Sequence, residues 1–561
     1  MAIHFTDIAS PKPDVAQIAA EHRTIHEKLA AATSDADRLA ALQQWDALRR
    51  RVETWTALTE LRFNQDTRNV SYKAEREYSD AIRPKLTELD VALKRKLVQS
   101  DDRKSLEEYL GRQCFALWES EITTYDPAIE DDMVREASLG AEYIELTAKA
   151  KIEFQGQAHT LSEITKYREE ADRDLRYAAE QARSNWFTEN REQLDRIFDD
   201  LVKLRTAMAR KLGFENFVEL GYKRMNRVDY DQHDVQRYRN TVHDEITPLA
   251  AALRVQQARK LGLDKVKFWD QGIHDPQGNP KPLGDHDWMI ERAKQMFAAI
   301  GGGLDEFFEI MVDSGLLDLK SREGKAGGGF CTSFPSAGVP FIFANFNGTK
   351  GDVEVFTHEI GHAFQCYLSR NQILMDYLWP TYESCEIHSM GLEFLTWPQM
   401  ELFFGDAAER FRRIHLANGL ILFLPYGVCV DHFQHLVYAK PDATPAERHG
   451  MWQEVERRYM PWLDYGDLEH YAHGGFWQGQ RHIYLSPFYY IDYTLAQACA
   501  LQFWVRAEED FGKALDDYVA LCRRGGEAPF RELVRGAGLQ SPFEKGCLSI
   551  PAEKAKRLLE L

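Results

Sequence analysis

The chain has 561 residues, 44% of them hydrophobic, enough to bury one large core or about two to four domains. Aspartate and glutamate total 88 against 69 lysines and arginines, a formal charge of −19 that argues against nucleic-acid and anionic-membrane partners. The eight cysteines are scattered with no C-x-x-C pair, and the opening MAIHFTDIASPKPD has neither a basic nor an apolar leader segment. Both features are expected of a reduced cytoplasmic protein.

Pro11 and Pro13 keep the first residues extended. Helical spacing begins at Asp14, and Ser34-Asp35 supplies an N-cap for a helix reaching about Asn69. Further helices are predicted at about 72–99, 102–121 and 127–149. KIEFQGQAHTL, residues 151–161, reads as a small hairpin about Gly156. Helices resume at about 162–186 and 189–213. A lobe boundary is placed near residue 190, giving an N-terminal helical lobe, 1–190, and a second lobe, 191–561. No Pro/Gly/Ser linker separates them, so a shared interface is expected.

Helical pattern continues over about 232–262, 287–300 and 304–314. Leu316–Leu319, Phe330–Thr332 and Pro340–Phe346 then read as strands of a small sheet. The longest uncharged apolar run, about Leu416 to Val430, is too short to span a membrane. It reads as a buried helix kinked at Pro425.

Between these lies VEVFTHEIGHAFQCYL, residues 353–368. Its apolar residues recur at steps of three and four, so it is helical with one buried face. His358 and His362 stand one turn apart, where two imidazoles can share a metal, usually zinc. Glu359 projects beside them, placed to take a proton from water. A chance H-E-x-x-H occurs in roughly 3–5% of chains this long, but rarely with this periodicity.

Catalytic zinc takes three protein ligands and keeps one open position. A third histidine at the H-E-x-x-H-x-x-G-x-x-H spacing is absent, since AFQCYL follows His362. The helix predicted at 382–397, YESCEIHSMGLEFLTW, offers Glu383, Glu386 and Glu393, and spacing does not choose among them. His388, two residues from Glu386, points elsewhere. His432 and His435 have no matching glutamate helix and read as packing residues. His470 to Gly475 reads as loop.

DVEVFTHEIGHAFQ and ESCEIHSMGLE, with REGKAGGGFCT and PFIFANFNGT before them and RHIYLSPFYYIDYTLAQ after, resemble the thimet-type oligopeptidase family, most closely its oligoendopeptidase F branch. The resemblance covers roughly residues 150–550. It implies Glu386 as third zinc ligand, Glu354 as an acidic neighbour of His358, and one zinc ion per chain. It further implies that His482, Tyr490 and Tyr493, with Tyr489 beside them, hold substrate and oxyanion. The implied fold is a mainly α, two-lobed body with a deep channel and a small sheet beside the H-E-x-x-H helix. The expected function is a zinc endopeptidase acting on short unfolded peptides, as a monomer or small homo-oligomer. A zinc carboxypeptidase of similar helical fold and a catalytically silent peptide-binding protein are the alternatives.

Overall fold

A computed structural model describes residues 3–322 and 324–561 of the chain. Helices dominate, as the periodicity predicts. The first five long ones are Val15–Ala31, Asp35–Gln65, Val70–Val98, Arg103–Leu110 and Arg112–Glu121. Ser34 caps the second by accepting from the Asp37 N–H, as expected. These helices close over a core of their own, built on Leu42, Trp45, Leu93, Phe115 and Trp118. Two distant residues, Leu374 and Tyr377, complete that core.

The hairpin forms between Ile152–Phe154 and Gln157–His159. Its turn residues Gln155 and Gly156 both have positive φ, the backbone a tight two-residue hairpin needs. The two helices expected at 162–186 and 189–213 are instead a short 3-10 turn, Glu163–Glu169, and one 39-residue helix, Arg173–Lys211. No glycine or proline interrupts residues 173–211, so nothing in the chain stops that helix. Residue 190 falls inside it.

The small sheet has Val339–Phe346 at its centre, parallel to Leu317–Lys320 and antiparallel to Phe330–Phe334. Phe330–Phe334 is an edge strand. The central strand feeds the helix Lys350–Ser369 through a three-residue turn, where Asp352 accepts from the Asn347 and Gly348 N–H groups. The Lys325 side chain is fully buried and staples the sheet, donating to the carbonyls of Asp318, Lys320 and Ala344.

Lys350–Ser369, Tyr382–Leu395 and Tyr490–Glu509 pack together at the centre of the larger core. The first two approach very closely at Gly361. A Cβ there would lie 2.5 Å from the His388 carbonyl oxygen and 2.7 Å from Ser389 Cα. Only glycine fits this crossing.

The apolar run behaves as expected of core. Helical segments succeed one another over Glu401–Ala439, a stretch long and apolar enough to cross a membrane, but its apolar window is 72% buried inside the protein. The irregularity near Pro425 is a π-helical turn, Ala417–Leu422, just ahead of the proline. A wider turn there accommodates the ring and the missing N–H. His432 bonds Tyr459 and His435 bonds Tyr222, so both are packing residues. His470 is buried and bonds the Gly475 carbonyl, within a short helix rather than an open loop.

The link between the two motif helices bolts them to the N-terminal helices. Asp376 sits in it, accepting from Arg49 at 2.6 Å and from the Trp118 indole at 2.9 Å. Burial opposes the Asp376 charge, but Arg49 outweighs it and holds the carboxyl well below its usual range.

Two outcomes follow. Gly361→Ala will force the crossing helices apart and destabilise the protein by about 1–3 kcal/mol, read from urea unfolding, with loss of bound metal. Asp376→Ala will remove one of the two carboxylates paired with buried Arg49 and leave the Trp118 indole without its acceptor, at a cost of about 1–3 kcal/mol at neutral pH. Because the folded carboxyl is depressed, its contribution is present above the unfolded value of about 3.9 and declines as pH falls below it. The difference between wild type and Asp376→Ala will therefore shrink below about pH 4 in the same assay.

Candidate metal and peptidase site

His358 and His362 project from one face of Lys350–Ser369, and Glu386 meets them from Tyr382–Leu395. Glu386 Oε2 lies 3.3 Å from His358 Nε2 and 3.3 Å from His362 Nε2. Donors about 2.0–2.1 Å from a tetrahedral zinc stand about 3.3 Å from one another. The three donor atoms therefore have the spacing of a zinc ligand set, and they are the single such group among the described residues. Of the three glutamates left open by spacing, Glu386 is the one turned to the histidines.

Two of the three donors, His358 and Glu386, are held by further bonds. Glu393 Oε1 accepts from His358 Nδ1 at 2.7 Å, which leaves Nε2 as the free donor. Glu393 Oε2 bonds His415 Nε2 at 2.7 Å. The Trp397 indole donates to His415 Nδ1 at 3.0 Å, so that nitrogen must accept and the His415 proton lies on Nε2. Glu386 Oε2 also accepts from Ser389 Oγ at 2.9 Å, and Glu386 Oε1 accepts from the Tyr489 hydroxyl at 2.7 Å. Burial works against a charged His358, but the bonds to Glu386 and Glu393 outweigh it and raise its pKa. A metal bound here replaces that proton.

Glu359 is 6% exposed, and its Oε2 is buried without a hydrogen-bond partner. Burial raises its pKa. Gly329, on the Gly-rich segment leading to the edge strand, lies against it: a Cβ there would stand 3.6 Å from Glu359 Oε1. Asn345 Nδ2 pins this segment through the Ala326 and Gly328 carbonyls.

These residues line a cavity of about 570 Å³. One wall carries His358, Glu359, His362, Glu386, Tyr489 and Tyr493. The facing wall comes from the N-terminal helices, through Arg49, Asp90, Lys94, Gln113 and Glu121. A larger cavity of about 740 Å³, near Lys260 and Arg413, contains none of the site residues.

The aromatic segment is close by. Tyr489 and Tyr493 are one helical turn apart, with rings 4.9 Å apart, and both reach the cavity. Tyr490, one residue round the helix, does not line the cavity; its ring packs on Phe423 and Tyr426 and against His482 and Tyr493 at 5.2 and 5.5 Å. His482 stands behind Tyr493, its Nε2 3.4 Å from the Tyr493 hydroxyl, with Gln480 bonded to Nδ1 at 2.8 Å. Burial, then Arg481, lowers the His482 pKa to about 4. Phe488, just before Tyr489, has φ +68°, a backbone that costs a bulky residue on the order of 1–3 kcal/mol.

Glu354 does not reach His358. It pairs instead with Lys350 one turn back, at 3.0 Å. Glu393, left beside the donors once Glu386 is taken as third ligand, bonds the far nitrogen of His358. Glu383 bonds Thr381, and burial beside Asp492 pushes its carboxyl well up. His415, Trp397 and Ser389 carried no signal in the sequence, since each acts only through a contact between separate segments.

The family comparison agrees with this architecture. The family model described as Peptidase family M3 matches residues 166–278 and 304–551, and that of the Peptidase M3 N-terminal domain matches 5–125. The chain belongs to peptidase family M3. A solved protein described as an oligoendopeptidase F is 46% identical, covering 100% of this chain and 99% of its own, with a TM-score of 0.96. PZ peptidase A in complex with an inhibitor is 45% identical over 99% of both chains, TM-score 0.96. A protein from Bacillus anthracis described likewise as an oligoendopeptidase F is 42% identical, covering 100% of this chain and 98% of its own, TM-score 0.92. No curated protein matches the sequence. Membership of this family makes the chain a metallopeptidase of the oligoendopeptidase F type.

Glu393→Gln will loosen the orientation of His358 and lower metal affinity by about 10- to 100-fold, measured by competition with a chromophoric chelator.

Proposed function

We propose that this enzyme is a zinc endopeptidase that cleaves internal bonds of short, unfolded peptides. The observation that carries this reading is the pair of 3.3 Å separations joining His358, His362 and Glu386, with the unpartnered Glu359 carboxylate beside them in one cavity. His358, His362 and Glu386 would hold the zinc. A zinc ion held there would supply Lewis acidity toward the scissile carbonyl and toward water.

Glu359 acts as general base. It accepts a proton as the water oxygen bonds to the carbonyl carbon, and returns it to the nitrogen as the C–N bond breaks. Its buried setting, open only to the cavity, supports that role. Tyr493, with His482 behind it, is our candidate for holding the oxyanion. Tyr489 steadies Glu386, and Tyr490 supports His482 and Tyr493 from outside the cavity. The edge strand Phe330–Phe334 offers unpaired backbone groups to an extended peptide. The N-terminal helices and the larger catalytic part would form two lobes on either side of the cavity. Eight unbridged cysteines, seven of them buried, support action in a reducing cytoplasm.

A carboxypeptidase needs a cation free to meet the substrate's C-terminal carboxylate. The lysine and arginine of the cavity wall are both engaged: Arg49 with Asp46 and Asp376, Lys94 with Glu121 and Asp90. That favours internal cleavage.

Glu359→Gln will lower kcat by about 10²- to 10⁴-fold on a quenched peptide while zinc stays bound. A chelator will abolish wild-type activity, and amidating the peptide's C-terminus will leave it intact. Full activity in Glu359→Gln would overturn the base assignment, and dependence on a free C-terminus would favour the carboxypeptidase.

A further inference from the structure

We propose that Arg227 is a positioning residue of the metal centre, acting on Glu386 through Phe488 and Tyr489. The inference rests on the reading of Glu386 as a metal donor. Arg227 follows the helix Phe217–Arg224, far along the chain from either motif helix. Its side chain has no solvent exposure, nor has that of Asp492.

One guanidinium nitrogen makes two bonds. Arg227 Nη2 donates to the Phe488 carbonyl at 2.6 Å and to Asp492 Oδ1 at 2.7 Å. These acceptors flank Tyr489. Phe488 is the residue before it, and Asp492 lies in the first turn of the following helix, its N–H bonded to the Tyr489 carbonyl at 2.9 Å. Arg227 thus clamps the backbone on both sides of the tyrosine whose hydroxyl meets Glu386 at 2.7 Å.

The clamp works against a strained residue. Phe488 keeps φ at +68°, where a phenylalanine does not rest unaided. Three contacts impose that backbone. Its carbonyl is taken by Arg227. Its N–H donates to Gln434 Oε1 at 2.8 Å. Its ring fills a slot between Phe217, Tyr222, His435 and Tyr438. Gly221 floors that slot, where a Cβ would approach the Phe488 ring to 2.5 Å. With the carbonyl released, Phe488 can relax to negative φ, and the Tyr489 side chain leaves Glu386.

A purely structural role is the competing account, since Arg227 also neutralises the buried Asp492 carboxylate. A double-mutant cycle separates the two. Zinc affinity is measured by chelator competition for wild type, Arg227→Met, Tyr489→Phe and the double variant, with thermal midpoints recorded for each. Arg227→Met is expected to weaken zinc about 10- to 100-fold, as loss of an orienting partner does. Tyr489→Phe is expected to match it, and the double variant to be no weaker than Tyr489→Phe alone.

Gly221→Ala provides a second route if Arg227→Met does not fold. It displaces the Phe488 ring and leaves the Arg227–Asp492 pair intact, and its effect should likewise vanish in the Tyr489→Phe background. Zinc held by folded Arg227→Met or Gly221→Ala as tightly as by wild type would overturn the link, as would losses that multiply with that of Tyr489→Phe. Wild-type protein that takes up no zinc would instead overturn the donor reading on which the link rests.

Discussion

Everything at the centre of this enzyme depends on how closely two helices cross at Gly361. The helix carrying His358 and His362 and the helix carrying Glu386 meet with backbone nearly touching backbone. A side chain at that point would hold the helices apart, and Glu386 would lose its 3.3 Å approach to both imidazoles. Two unremarkable positions in H-E-x-x-H are therefore unequal: Ile360 fills the core, while Gly361 sets the distance between the donors.

Around that crossing the protein surrounds charge with directed bonds. Glu393 accepts one hydrogen bond from His358 and another from His415, and Trp397 fixes which His415 nitrogen carries the proton. Glu386 is held by Ser389 and Tyr489. Burying such groups unpaired is costly, and pairing them fixes one arrangement of the donors. Glu359 is the contrast. Its buried Oε2 is left without a partner, which costs the fold locally and suits the base proposed for it.

The N-terminal helices are tied to this centre through the connector between the motif helices. Leu374 and Tyr377 complete their core, and Asp376 joins Arg49 and Trp118. The same helices line the cavity that holds His358, His362 and Glu386. A segment that looks like a separate bundle thus shares its stability with the site and supplies the far side of the cavity.

Much of this was legible in the sequence because it is local. Helical periodicity placed both motif helices, alternating and apolar runs placed the hairpin and the three strands, and the spacing of His358, Glu359 and His362 already put them on one face. The long helix Arg173–Lys211 was misread as two, because charged residues blurred its apolar stripe. Glu386, Glu383 and Glu393 were indistinguishable along their own helix, since each faces roughly the same way. The crossing at Gly361 decided among them by turning one to the histidines and another to the far nitrogen of His358. Tertiary structure alone set Glu354 on Lys350, His415 on Glu393 and Arg227 behind Tyr489. Sequence spacing determines what shares a face of one element. Contacts between elements depend on packing distance, and no periodicity records that.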